Sequence, residues 1–427
     1  MSSNSPAEDP LPRIHNQAAS PFFKLPLELR RAVYANVFDF SACHLHSSAA
    51  SNGTPRLQLK SCIAPTTFDE RALDGSERCP VKRTPDHHKW PIPSQTFKRR
   101  VLSSWGSHWM CEELALHHLD CGEDVRQSVL LSRDFIPALR VCKRMLLDLI
   151  GEATTMADFH VADLGTLKTL LETSEPSSAE FKLENFFRSN ISNLSIILSQ
   201  PLGFFEAIEK APSAHQTDQN SVIPTDLEGD TDVAFWRHLP SMLSTQLPRL
   251  RKLHIWLDHN TREYWSVVNE RGILGPIEAL AASRPTIELV WVLPKVHPSF
   301  EDRQRHYLPE DEEQQRQPSS RLEVRRVFRQ RYRVFVCDET GDECMCYVKD
   351  FPQVYPGSGL FCNMTQEEQE RYEAAGLRGG INVVQLESAS PRFRYRRLTR
   401  WLARARDIEL GEFPPSRPMR RRGQPRY

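Results

Sequence analysis

Ten cysteines and fifteen histidines stand among the 427 residues, and two stretches space them in a way that invites a metal reading. In the C-terminal quarter Cys337, Cys344, Cys346 and Cys362 offer four soft ligands, with Cys344 and Cys346 placed to project from one face of a strand. Four thiolates can complete a tetrahedral zinc shell. Structural zinc sites nevertheless favour Cys-x2-4-Cys pairs, so thiols packed as small hydrophobes are the preferred account. Upstream, the stretch WGSHWMCEELALHHLDCG holds His108, Cys111, His117, His118 and Cys121, and on a helix Cys111, His118 and Cys121 would share a face. Here too surface imidazoles and core thiols are expected rather than a metal. A third stretch, RFRYRRLTRWLARARD, interleaves arginine with Phe393, Tyr395 and Trp401, types that can hold phosphates and stack on bases. As a helix it would turn Leu398, Trp401, Leu402 and Ile408 inward and leave a solvated arginine face, and that reading is preferred.

No phosphate-cradling Gly loop with a Lys-Ser/Thr pair, Gly-x-Ser-x-Gly elbow or His-Glu-x-x-His helix is present, and the glycines at Gly357, Gly359, Gly379 and Gly380 read as turn residues. The expectation is therefore a non-enzymatic chain with no catalytic residue, no metal ligand and no cofactor assigned. Lysine plus arginine and aspartate plus glutamate both number 55, so no global field draws the chain to nucleic acid or anionic lipid. Neither is the expected partner. The N-terminus lacks the basic and apolar regions of a signal peptide, and no apolar run approaches the ~18 residues that span a bilayer. The expected location is cytoplasmic or nuclear, where cysteines stay reduced.

The elements that would position any site begin with FFKLPLELRRAVYANVFDF, residues 22–40. Pro26 suits the first helical position and Glu28 the first turn. Leu29, Val33 and Val37, with Tyr34 and Phe38 beside them, predict a helix with one face to bury. Residues 41–130 show no sustained period and read as a long polar insertion in which short strands can occur. A second amphipathic helix is predicted over Phe135–Ile150, with Leu139, Cys142, Met145, Leu146 and Leu149 on one face, and the two helices could pair.

Strand-like and helix-like runs then alternate: Ala157–Val161, LGTLKTLLET, Leu194–Leu198, VAFWRHLPSMLSTQL, Lys252–Leu257, a helical stretch around TREYWSVVNE and PIEALAAS, and Ile287–Leu293. That alternation predicts crossover units and a small parallel sheet. LPRLRKLHIWL has a loose Leu-x-x-Leu-x-Leu spacing, and the irregular intervals between strands fit degenerate leucine-rich-like units broken by loops such as 210–231. Residues 301–321 have linker composition, and RYRVFVC and CMCYVKDF flank a Gly-containing turn as a β-hairpin would.

Two of these segments carry a family resemblance. FFKLPLELRRAVYANVF resembles the Leu-Pro-x-Glu-Leu/Ile-Arg opening of F-box-like domains found in many fungal proteins, and PALRVCKRMLLDLIGEAT resembles the later Leu-x-x-x-Cys-Arg helix of that family. The resemblance implies a substrate receptor that binds the Skp-type adaptor of a cullin ubiquitin ligase. Residue by residue it places Leu25, Pro26, Glu28 and Leu29 in the adaptor-facing opening and Val141 and Cys142 in the later helix.

The expected architecture is α/β. An unstructured N-terminus (1–20) leads into an F-box-like helical part (21–150) carrying the insertion over 41–130. A leucine-rich-like strand-helix region (151–295) follows, then a linker (296–322), a small hairpin-plus-helix element (323–410) and a basic tail (411–427). The expected function is protein interaction. The alternative is a nuclear metal- or nucleic-acid-binding factor using the C-terminal cysteines and arginines.

Overall fold

The structure, a computed structural model, describes residues 20–37, 42–49, 55–64, 102–116, 142–172, 183–210, 229–261, 263–308, 322–329, 332–336, 343–347, 350–352 and 365–378. It is mixed α/β, with a seven-stranded sheet in the order β2-β1-β3-β4-β5-β6-β7 and a separate two-stranded sheet. Among the described residues there are ten α-helices, and no helix is long and apolar enough to cross a membrane.

One compact unit begins with the opening motif. Pro26 forces the preceding Leu25 into an extended conformation, φ −64° and ψ 142°, so the motif is split into a single turn, α1 (Pro21–Lys24), and a longer helix, α2 (Leu27–Val37). The Pro26 carbonyl accepts from the Arg30 N–H at 3.1 Å. Pro26 therefore precedes the first helical residue by one, and Glu28 lies in the first turn as expected.

The face of α2 that packs inward differs from the one expected. Arg30 and Tyr34 are buried, at 6% and 1% exposure, while Leu29 and Val33 stand out at 53% and 40%. The cause lies on α4 (Lys143–Met156), where Asp148 pairs with the Arg30 guanidinium and sits 3.5 Å from the Tyr34 hydroxyl. Arg31 Nε lies 3.0 Å from Glu152 Oε2 one turn further along. The two helices do pair, through charge rather than through the aliphatic stripe. Burial and the neighbouring Asp148 carboxylate push the Tyr34 phenol up to about 12. Phe23 of α1 completes this interface beneath the Arg30 and Arg144 guanidinium groups, 5.6 and 4.8 Å from its ring centre.

The stretch read as an insertion contributes two strands. β1 (Ala42–Ala49) pairs antiparallel with β2 (Pro55–Ser61) and parallel with β3 (Asp158–Val161), which pairs parallel with β4 (Asn193–Gln200). Helix α5 (Leu164–Leu171) buries Leu164, Leu167, Leu170 and Leu171. Its N-cap, Asp163, accepts from the Thr166 N–H at 2.6 Å, and the Thr166 hydroxyl accepts from the Ser47 N–H of β1 at 2.7 Å. Helix α6 (Leu183–Asn190) leads into β4.

In the second unit, β5 (Lys252–His259) and β6 (Glu288–Pro294) are apolar runs of the kind a doubly covered sheet needs, and β6 is buried at every position but its first. β7 (Leu322–Val327) lies parallel to β6 with Leu289 opposite Leu322, so the segment expected to open a separate C-terminal element belongs to the main sheet. TREYWSVVNE yields only a 3-10 turn, Trp265–Val267. Helices α7 (Leu202–Lys210), α8 (Gly229–Gln246) and α9 (Glu270–Ser283) supply the crossovers. The hairpin is present as β8 (Tyr332–Val336) and β9 (Glu343–Tyr347), paired antiparallel.

A further helix, α10 (Gln366–Arg378), starts with a reciprocal capping box, in which Thr365 Oγ1 accepts from the Glu368 N–H at 3.3 Å and Glu368 Oε2 accepts from the Thr365 N–H at 2.8 Å. It docks through Lys295 to Glu370 and through Arg378 to Glu301 at 3.0 Å. The basic helical stretch expected over 393–410 and the tail at 411–427 lie outside the described residues.

Asp148→Ala leaves a buried guanidinium without its carboxylate. The expected cost is about 3 kcal/mol, read as a lower midpoint in urea unfolding. Lys210→Ala, which removes only an exposed i,i+4 pair with Glu206, is expected to cost well under about 1 kcal/mol.

Candidate functional site

The residues assigned to the opening helices, Leu25, Pro26, Glu28 and Leu29, are all exposed. Leu25, Leu27, Leu29 and Val33 are exposed at 37, 38, 53 and 40%, with Pro26 and Glu28 exposed among them. Four large apolar side chains in one short motif are more than the scattered exposure of an ordinary surface. These side chains rest on a fixed base, because Phe23, Arg30 and Tyr34 hold α1 and α2 from the other side. Leu27 and Val33, exposed beside them, were not assigned from the sequence, although Val33 stands four residues from Leu29 on the same side of the helix.

Cys142 has a local role. It is the N-cap of α4, extended at φ −165° and ψ 159°, and its Sγ accepts from the Met145 N–H at 3.3 Å. The helix predicted from Phe135 thus begins at Lys143, and Val141, with Leu139, lies outside the described residues. Leu149 of the predicted apolar face is fully buried.

The second unit holds a dense buried polar cluster that sequence reasoning missed. Arg329, at the end of β7, is 4% exposed; its Nε donates to Asp258 Oδ1 at 2.6 Å and its Nη1 to Asp350 Oδ2 at 3.1 Å. Its remaining N–H groups reach the carbonyl oxygens of Glu263 and His259, both at 2.5 Å. Asp350 also accepts from the backbone N–H groups of Trp265 and Phe351, at 3.1 and 2.9 Å. Burial pushes the Asp350 carboxyl up, against the pull of Arg329. Nearby, Glu270 in the first turn of α9 accepts from Trp265 Nε1 at 2.7 Å, from Arg326 at 2.5 and 2.7 Å, and from the Tyr307 N–H at 3.0 Å. Both clusters spend these hydrogen bonds on the protein's own backbone and side chains and so clamp neighbouring segments together.

Of the five residues in the predicted His/Cys cluster, His108 closes a 3-10 turn (Gly106–His108) and Cys111 lies on α3 (Trp109–Leu116), while His117, His118 and Cys121 lie outside the described residues. Cys344 and Cys346 lie on β9 opposite Phe335 and Arg333, and Cys337 and Cys362 lie outside the described residues.

The model of a domain of unknown function, DUF7730, matches residues 15–305. The chain belongs to this family. The DUF7730 span takes in the exposed opening residues, α4 and the strand-helix region, and it ends before β7 and α10. No curated protein and no solved structure matches the chain.

Within the DUF7730 span, His297 is buried and its imidazole pKa is lowered by that burial. Just beyond the span, His306 is fully buried, its Nδ1 accepting from the Asp302 N–H at 3.1 Å and its Nε2 lying 3.1 Å from the Ser266 carbonyl oxygen. Burial lowers its pKa too, with Glu270 opposing and Arg326 and Arg305 assisting. A depressed folded-state value means that the unfolded chain binds the proton more readily. The contribution is therefore full above about pH 6.5 and is lost as the pH falls below it. Urea unfolding over a range from about pH 7 to about pH 5 should show His306→Gln losing less stability across the range than the wild type. Equal slopes would contradict the assignment.

Proposed function

We propose that the chain is a non-enzymatic protein-interaction module. In this reading its F-box-like opening docks a Skp-type adaptor of a cullin ubiquitin ligase, and its leucine-rich-like strand-helix region, or the loops of that region, holds a second protein. The observation that carries the reading is the exposure of Leu25, Leu27, Leu29 and Val33 on a segment anchored from behind. A soluble chain gains nothing from leaving these side chains in water, and covering them with a partner would remove apolar surface at about 25 cal/mol per Å². They overlap the Leu-Pro-x-Glu-Leu segment that the F-box resemblance assigns to the adaptor, and Glu28 supplies a polar edge beside them. The buried clusters around Arg329 and Glu270 support the non-enzymatic part, because their carboxylates and guanidinium groups are committed to holding the fold.

The test is co-purification of the tagged full-length chain with recombinant adaptor. Leu25→Asp together with Leu29→Asp is expected to weaken capture at least about tenfold, since apolar anchors at an interface centre carry most of its energy. The same double variant should unfold within about 1 kcal/mol of the wild type, because neither side chain packs in the core. Failure of the folded wild-type chain to capture adaptor would sink the ligase reading.

A further inference from the structure

We propose that the β1–β2 hairpin is a proton-released flap on the first unit, with His46 as the group that senses the proton. The hairpin stands at the end of its sheet, in the order β2-β1-β3, so its release leaves β3 as the edge. Its attachment is short. β1 meets β3 over four pairs, Ala42 to Leu45 against Asp158 to Val161, and His46 is the first residue past that ladder. Beyond it the hairpin reaches α5 through the Ser47 N–H, which donates to Thr166 Oγ1 at 2.7 Å, and through the Thr169 hydroxyl, 3.4 Å from Ser47 Oγ. All of these residues belong to the first unit.

His46 sits at this junction as a buried imidazole, at 4% exposure. It stands opposite Gln58 of β2, whose side chain hydrogen-bonds its ring, and its Nδ1 has no hydrogen-bond partner among the described residues. The charges that face it are unequal. Lys60 lies two residues along β2 from Gln58 and so on the same face. His44 occupies that face on β1 itself, opposite both Lys60 and His160 of β3, with the two imidazole rings 5.0 Å apart. The facing carboxylate, Asp163 at the cap of α5, is already engaged by the Thr166 N–H and hydroxyl, at 2.6 and 2.7 Å.

A proton on His46 therefore places a buried cation beside an ammonium group and a row of further imidazoles. Burial first, and then Lys60, lower its pKa, against the pull of Gln58 and Asp163. Because the closed flap holds the proton less readily than the open one, closure has its full advantage above about pH 6.5 and loses it as the pH falls below that value. Ser47 follows His46 directly in the chain. Moving the imidazole into water draws the Ser47 N–H away from Thr166, which couples protonation to release from α5 as a local opening rather than a global one.

The experiment is hydrogen exchange read by mass spectrometry on the full-length chain at about pH 7.5 and about pH 5.5, with rates normalised to an unstructured peptide. One imidazole with an ordinary value near 6.5 can favour the open form by up to about tenfold over that range. Peptides covering residues 42–61 should accordingly exchange about three to ten times faster at the lower pH, while those covering β4 keep their protection. In His46→Gln the amide retains hydrogen-bonding groups but takes up no proton, and the hairpin should exchange alike at both pH values. Should that variant fail to fold, Lys60→Gln decides the matter: with the ammonium group gone the acceleration should shrink, and an acceleration equal to that of the wild type would overturn the proposal. Unchanged hairpin exchange in the wild type, full acceleration in His46→Gln, or an equal loss of protection in β4 would each overturn it as well.

Discussion

A guanidinium removed from water must be met by a carboxylate, and that constraint shapes both units of the protein. At the opening, Arg30 is buried between α1, α2 and α4 because Asp148 and the Phe23 ring receive it. The pairing fixes the rotation of α2 about its axis. With Arg30 and Tyr34 turned in, Leu29 and Val33 have to turn out. In the second unit Arg329 gathers Asp258, Asp350 and carbonyl oxygens of the 259–263 stretch, and Arg326 pairs with Glu270. A buried pair of this kind contributes little net stability over an apolar replacement, but removing one partner is costly, so it acts chiefly to specify one arrangement.

This rotation is also where hydrophobic periodicity misled. The stripe of Leu29, Val33 and Val37 has the spacing of a buried face, and a rule that counts apolar residues assigns it to the core. The competing interaction, Arg30 with Asp148, joins residues 118 apart in the sequence and has no local signature. The parallel strands were legible for the opposite reason. Leu194–Leu198 and Leu289–Leu293 are buried on both faces, and that demand writes itself into a continuous run of mostly apolar side chains, while in Lys252–Leu257 buried positions alternate with half-buried ones. β1, β2 and β7 were harder, since they carry polar residues that a window of composition reads as loop. In β7, though, the order Leu-Glu-Val was already an alternation. The capping box of α10 is a local signal, Thr365 followed three residues later by Glu368.

The docking reading depends on side chains that the fold leaves uncovered, and these lie within residues 15–305, the span that DUF7730 covers.

The orientation of α2 decides whether Leu29 and Val33 face water, and selective thiol labelling measures that orientation directly. A cysteine placed at Leu29 in the native chain should react with a water-soluble maleimide at the rate of an exposed thiol, while one placed at Tyr34 should stay protected until the chain unfolds. Equal labelling of the two, or protection at position 29 with reaction at position 34, would mean that the aliphatic stripe is buried after all and that the docking surface does not exist.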